Sequence, residues 1–181
     1  MPSGSTSPRA ESPTARLFVA LWPDAGARTA LAIYRDGWRW PQAARPVADE
    51  NLHATLHFIG SFGRDRIDAL ASRLAAVRAE APALRPNRPE VWRGGIAVLT
   101  LQGDARLLAL HEQVGAVMTG LGIALDDRPF APHVTLARKA SRAVAPDEWP
   151  TFDWRPDGIV LVESLGGTAP YRLLHTWRCA P

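Results

Sequence analysis

Apolar positions along the chain fall into short continuous runs and longer stripes at helical spacing, and the two kinds alternate. Arg16 to Trp22 is a run of strand formers (Leu17, Phe18, Val19, Leu21) closed by Pro23-Asp24, which predicts a buried first strand. Asp24 is placed to cap a helix reaching Asp36, with Ala27, Ala30, Leu31 and Tyr34 on one stripe and Gly37 at its end. A loop follows, with pairing expected around Arg45 to Ala48, and then a strand from Leu52 to Gly60. Ile67, Leu70, Ala71, Leu74 and Val77 predict a second helix from Arg64 to Glu80, stopped by Pro82. Leu84 to Pro89, with two prolines, reads as a connector, and Glu90 to Arg93 and Ile96 to Leu101 read as strands around Gly94-Gly95. Leu107, Leu110, Val114, Val117 and Leu121 mark a third helix from Asp104 to Thr119. A strand at Pro132 to Arg138 and a hairpin of Ile159 to Ser164 with Tyr171 to Arg178 close the chain, and Phe152 to Trp154 is a further short strand candidate.

The order of elements repeats. His53 lies 31 positions after Trp22 and His133 lies 32 after Leu101, each interval holding a helix and a loop. The strands at the ends of these intervals carry matching tetrapeptides, His53-Ala54-Thr55-Leu56 and His133-Val134-Thr135-Leu136. Two strand-helix-strand units of matched spacing predict an α+β fold: a bilobal, pseudo-two-fold domain, two antiparallel sheets flanking a central cleft, helices outside. Side chains alternate along a strand, so His and Thr of each motif face the cleft while Ala54, Leu56, Val134 and Leu136 face the core. Strict alternation also puts His57 beside His53 and turns Arg138 away from His133.

Composition narrows the setting. The 181 residues suit one folded unit. Residues 1–14, rich in Ser, Pro, Thr and Ala, are expected to be a disordered tail, leaving 15–181 as a single domain. No apolar run resembles a secretory signal or a membrane span, and the lone Cys179 has no partner for an internal disulfide, so a cytoplasmic protein is expected. The net charge of +3 tolerates an anionic partner without specifying one. Lys139 is the only lysine, and arginine suits phosphate through its planar fork, although coding bias accounts for the skew equally well.

Two imidazoles facing one group divide proton transfer between them, one accepting while the other donates. A threonine hydroxyl one pleat along donates to a non-bridging phosphate oxygen. The constellation fits opening of a cyclic phosphodiester without a cofactor. A single strand histidine is more often structural, and duplication at equivalent places is what favours a functional pair. A rival zinc site would draw on His53, His57 and His133, but the close-spaced ligand pairs that usually begin one are missing. His57 otherwise reads as a cleft-edge residue, and His111 and His175 as structural.

These residues resemble the 2H phosphoesterases, and among them the RNA 2′,3′-cyclic phosphodiesterases of the ThpR/LigT type, once called 2′-5′ RNA ligases. The likeness spans Arg16 to Trp177. It includes Arg16-Leu17-Phe18-Val19-Ala20, Arg45-Pro46-Val47, Asn51 to Gly60, Arg128-Pro129-Phe130, Pro132 to Arg138, Tyr171 and Trp177. It implies a LigT-like bilobal fold and metal-independent hydrolysis of a terminal 2′,3′-cyclic phosphate to a 2′-phosphate, with reversible ATP-independent 2′-5′ RNA ligation as a secondary activity. It further implies His53 and His133 as the acid/base pair, Thr55, Thr135 and Arg138 as phosphate ligands, and Phe18 and Tyr171 as candidates for base stacking. The implied partners are RNA or nucleotide cyclic phosphate ends, tRNA fragments among them, met by a monomer. Two other readings stay open: an RNA-end binding module without turnover, and the same chemistry on another 2′-5′ or cyclic nucleotide. His57 departs from the apolar or small residue usual at its place.

Overall fold

The chain builds an antiparallel sheet whose two central strands are the two motif strands. The structure, a computed structural model, describes residues 13–166 and 169–179. In chain order the strands are β1 (Thr14–Leu21), β2 (Arg45–Pro46), β3 (Ala54–Gly63), β4 (Leu84–Trp92), β5 (Ile96–Gly103), β6 (His133–Arg138), β7 (Gly158–Ser164) and β8 (Arg172–Arg178). The helices are α1 (Ala25–Asp36), α2 (Ile67–Leu74) and α3 (Ala105–Gly120). The sheet order is β4-β5-β6-β3-β1-β7-β8, with β2 added to β6. Its halves meet at one residue pair, Ala54 opposite Val134, so the two expected sheets touch along their central seam.

The duplication lies in the topology. β1-α1-β3 and β5-α3-β6 are both strand-helix-strand units whose strands pair antiparallel. Both helices start on an aspartate cap, Asp24 accepting from the Ala27 N–H at 2.8 Å and Asp104 from the Leu107 N–H at 3.2 Å. The main core lies on the helix side, where Leu17, Val19 and Leu21 of β1 meet Leu31 of α1, Leu107 and Leu110 of α3, and Leu56 and Leu136. The intervening residues Phe18 and Ala20 face the other way and join Val160 and Val162 in a smaller cluster beside Trp22 and Tyr171. That second cluster floors one side of the cleft.

Three elements depart from the pattern reading. α2 ends at Leu74 rather than Glu80, because the Arg78 guanidinium turns back to the Ala75 and Val77 carbonyls and its N–H meets Gln113, which satisfies the end of the helix early. The proline-containing connector is the first part of β4. It is tolerated as an edge strand with a neighbour on one side, and its register breaks between Pro86 and Pro89. Phe152 to Trp154 contributes one bridge, Trp154 with Leu84, instead of a strand. β1 already begins at Thr14, and the rest of the expected tail, except Pro13, lies outside the described residues, as do 167 and 168 in the last hairpin.

Candidate active site

The geometry of the site follows from the Ala54–Val134 pair. Both side chains are buried in the helix-side core, at 3% and 0% exposure. In an antiparallel pair the flanking positions oppose one another, so His53 lies across from Thr135 and Thr55 across from His133, all four on the far side of the sheet. The pseudo-two-fold axis runs through the seam. Each imidazole is oriented by the carbonyl two residues before it, Nδ1–H of His53 donating to Asn51 at 2.6 Å and Nδ1–H of His133 to Ala131 at 2.7 Å. A carbonyl only accepts, so both neutral rings carry their proton on Nδ1 and leave Nε2 unprotonated, able to accept a proton. His53 Nε2 lies 3.1 Å from the Thr55 hydroxyl.

A matched irregularity completes each motif strand. In β6, Thr135 pairs with Val98 and Ala137 with Ala97, which leaves Leu136 as an extra residue. Leu136 and Ala137 are both fully buried, and alternation resumes with Arg138 exposed on the His133 side. The expectation that Arg138 faces away is corrected by this bulge. The positive charge of Arg138 helps depress the pKa of both imidazoles, in keeping with that position. β3 does the same: Thr55 pairs with Ala20, His57 with Val19, and Leu56 is the extra residue. Leu56 and His57 both turn inward. His57 is therefore not beside His53. It stacks on His111 of α3 at 4.0 Å and its Nε2–H donates to the His111 carbonyl at 2.9 Å, so the three nitrogens of the zinc reading are not brought together.

With the pair, the threonines and the returning arginine placed, similarity to known proteins becomes specific. The sequence profile of the 2′-5′ RNA ligase superfamily matches residues 31–168. The chain belongs to the 2′-5′ RNA ligase superfamily. A protein of Escherichia coli strain K12 named RNA 2′,3′-cyclic phosphodiesterase is 33% identical over 141 residues, 77% of this chain and 80% of that protein. One of the same name from Thermus thermophilus is 33% identical over 168 residues, 82% of this chain and 81% of its own. Among solved structures, E. coli LigT complexed with 3′-AMP superposes with a TM-score of 0.80 at 27% identity, covering 93% of this chain and 99% of that one.

Within this superfamily frame the two histidines have unequal surroundings. His53 stands among three aromatic rings, stacked with Phe18 at 4.9 Å and Trp22 at 5.2 Å and met by the edge of Tyr171 at 5.3 Å. Burial, with smaller contributions from the charges of His133 and Arg138, pulls its pKa down to about 4 against the opposing hydrogen bond to Asn51. His133 meets one ring, Trp92, at 4.3 Å, and is lowered by burial, then by Arg128 and Arg138, against its bond to Ala131. Phe18, expected as a stacking platform, is 4% exposed and walls His53 instead of offering a face to a base. Tyr171 is half-buried, and its N–H donates to the Asn51 side chain at 3.0 Å. Phe58, the β3 counterpart of Arg138, is 59% exposed.

Beside Thr55 and His133 a cavity of about 350 Å³ opens, lined among others by Phe58, Trp92, His111, Phe130 and Arg128. Sequence reading did not single out Asn51, Trp22, Phe58 or Trp92. Asn51 had a signal, its place two residues before a motif histidine. The aromatic residues had none, because their contacts span strands distant in sequence.

Proposed function

We propose that the cleft hydrolyses a terminal RNA 2′,3′-cyclic phosphate to a 2′-phosphate by two-histidine acid/base catalysis. The observation that carries this reading is the pair of Nδ1-anchored imidazoles set across the Ala54–Val134 seam, each with Nε2 unprotonated and a threonine opposite. Water attacks phosphorus and gives its proton to one Nε2, while the P–O3′ bond breaks and O3′ takes a proton from the other Nε2–H. Thr55, Thr135 and Arg138 hold the phosphate oxygens. With both pKa values depressed, both imidazoles of the free site are neutral at pH 7, and the anionic substrate supplies the negative charge that favours one imidazolium. An alcohol in place of water, such as an RNA 5′-hydroxyl, gives a 2′-5′ linkage by the same geometry without ATP.

A monomer working in the cytoplasm on RNA ends, tRNA fragments among them, fits this reading, and among the described residues no helix is long and apolar enough to cross a membrane. The test is turnover of nucleoside and oligonucleotide 2′,3′-cyclic phosphates by chelator-treated protein, with the product's phosphate position determined by NMR. Formation of the 2′-phosphate supports the proposal. A 3′-phosphate overturns it by showing that the P–O2′ bond breaks instead, and salt-dependent RNA binding with no turnover overturns it and leaves an RNA-end binding module.

A further inference from the structure

The cavity beside His133 contains a histidine the acid/base chemistry does not use. His111, on α3, is stacked between two near-parallel rings, His57 at 4.0 Å and 20° and Phe130 at 3.9 Å and 19°. Rings that close and that parallel cannot share one face, so both faces of the imidazole are covered and only its edge is left to line the cavity. Neither ring nitrogen of His111 has a hydrogen-bond partner among the described residues, whereas the other three histidines around the cleft each have at least one. The stack is held on both sides. His57 Nε2–H donates to the His111 carbonyl, and Gly115 lets α3 approach, since a Cβ there would lie 3.3 Å from the His57 ring. Burial first, and the His57 charge second, hold His111 near pKa 4, so at neutral pH its edge offers one N–H donor and one acceptor nitrogen.

The cavity touches Thr55 and His133, so whatever is attached to a phosphate held there extends into it. Its walls are a nucleobase's: the exposed Phe58 ring, Trp92 and Phe130, with the Arg128–Asp126 pair at the rim. Resting on the function proposed above, we infer that His111 reads the edge of the substrate's terminal nucleobase in this cavity and makes the enzyme base-selective. A flat heteroaromatic base fills an apolar slot, and a fixed polar edge at its end discriminates by leaving a buried partner unpaired when the wrong base enters.

The experiment compares kcat/KM for the four nucleoside 2′,3′-cyclic phosphates with that for glycerol 1,2-cyclic phosphate, which has no base. The wild type is expected to spread the four bases by about tenfold or more, and His111→Phe, which keeps the stacked shape without the nitrogens, to compress the spread to about twofold with the glycerol substrate unchanged. Equal treatment of the bases by the wild type, or an unchanged spread in H111F, overturns the inference. Should H111F not fold, the wild-type imidazole resonances are followed by NMR with nucleoside 2′-phosphates and with inorganic phosphate. A shift of His111 with a nucleotide but not with phosphate supports the role, and a shift at His133 alone overturns it. No turnover of any cyclic phosphate and no response at His133 removes the proposed function and this inference together, while turnover without base preference removes only the inference.

Discussion

The β3 and β6 strands start from the same device and end in different chemistry. Both hold a histidine by the carbonyl two residues before it, both place a threonine opposite the other strand's histidine, and both bulge at the leucine that follows. Beyond the bulge they diverge. β6 sends Ala137 inward and Arg138 out to the cleft, whereas β3 sends His57 inward against α3 and Phe58 out. One strand thus adds a guanidinium to the cleft and the other an aromatic ring. The surroundings diverge as well, with three rings around His53 and one beside His133. Duplication supplies two equivalent imidazoles, and packing that is not duplicated makes them unequal.

The sharpest test of that equivalence is removal of either ring. His53→Ala and His133→Ala should each lower kcat about a thousandfold, and the double variant should be little slower than the worse single one, because the proposed reaction uses the two as a unit. A variant keeping near wild-type kcat would break the pairing. Next in size is Arg138→Gln, expected to lower kcat/KM roughly 10- to 100-fold through loss of the proposed charged hydrogen bond to phosphate. Its charge lowers the pKa of both histidines, so its removal should raise both and move the pH profile of kcat/KM to higher pH.

The inequality is probed by Trp22→Leu, which opens the wall around His53 and relieves part of its burial. Its pKa should rise from about 4 toward the ordinary 6.5 while that of His133 stays put, as read by NMR titration of the two rings. Equal movement of both would mean the aromatic box is not what separates them. The same burial bears on stability. His53, His57, His111 and His133 all have folded pKa values below the ordinary 6.5, so the unfolded chain takes up protons first. Their stabilising contribution is fully present above pH 6.5 and is lost as pH falls toward 4, the value reached by His53 and His111. Melting temperature should drop across that window, and His57→Leu should flatten the slope. The smallest effect belongs to the duplicated caps: Asp24→Ala and Asp104→Ala should each cost about 1 kcal/mol in denaturant unfolding without altering kcat.

Much of this was legible in the residues. Asp24 and Asp104 before apolar stripes located α1 and α3, and the echo of His53 to Leu56 in His133 to Leu136, at matched distances from preceding strands, located the centre of the sheet. What escaped was local and specific. Alternation counting assumes one residue per pleat, so an extra Leu56 or Leu136 reverses every later assignment, which is why His57 and Arg138 were each placed on the wrong face. Pro86 and Pro89 hid an edge strand, since a proline's missing donor matters only where a neighbour needs it.

Local rules thus determined which segments are strands and helices and which four polar side chains leave the core together, because periodicity and capping act within a few residues. The tertiary structure alone decided that the two motif strands meet at Ala54 and Val134, and that Trp22, Phe18 and Tyr171 enclose one ring. It alone decided that α3 comes close enough for His111 to stack between His57 and Phe130. Each of those facts depends on contacts between parts of the chain far apart in sequence, where no spacing rule operates and only packing selects the neighbour.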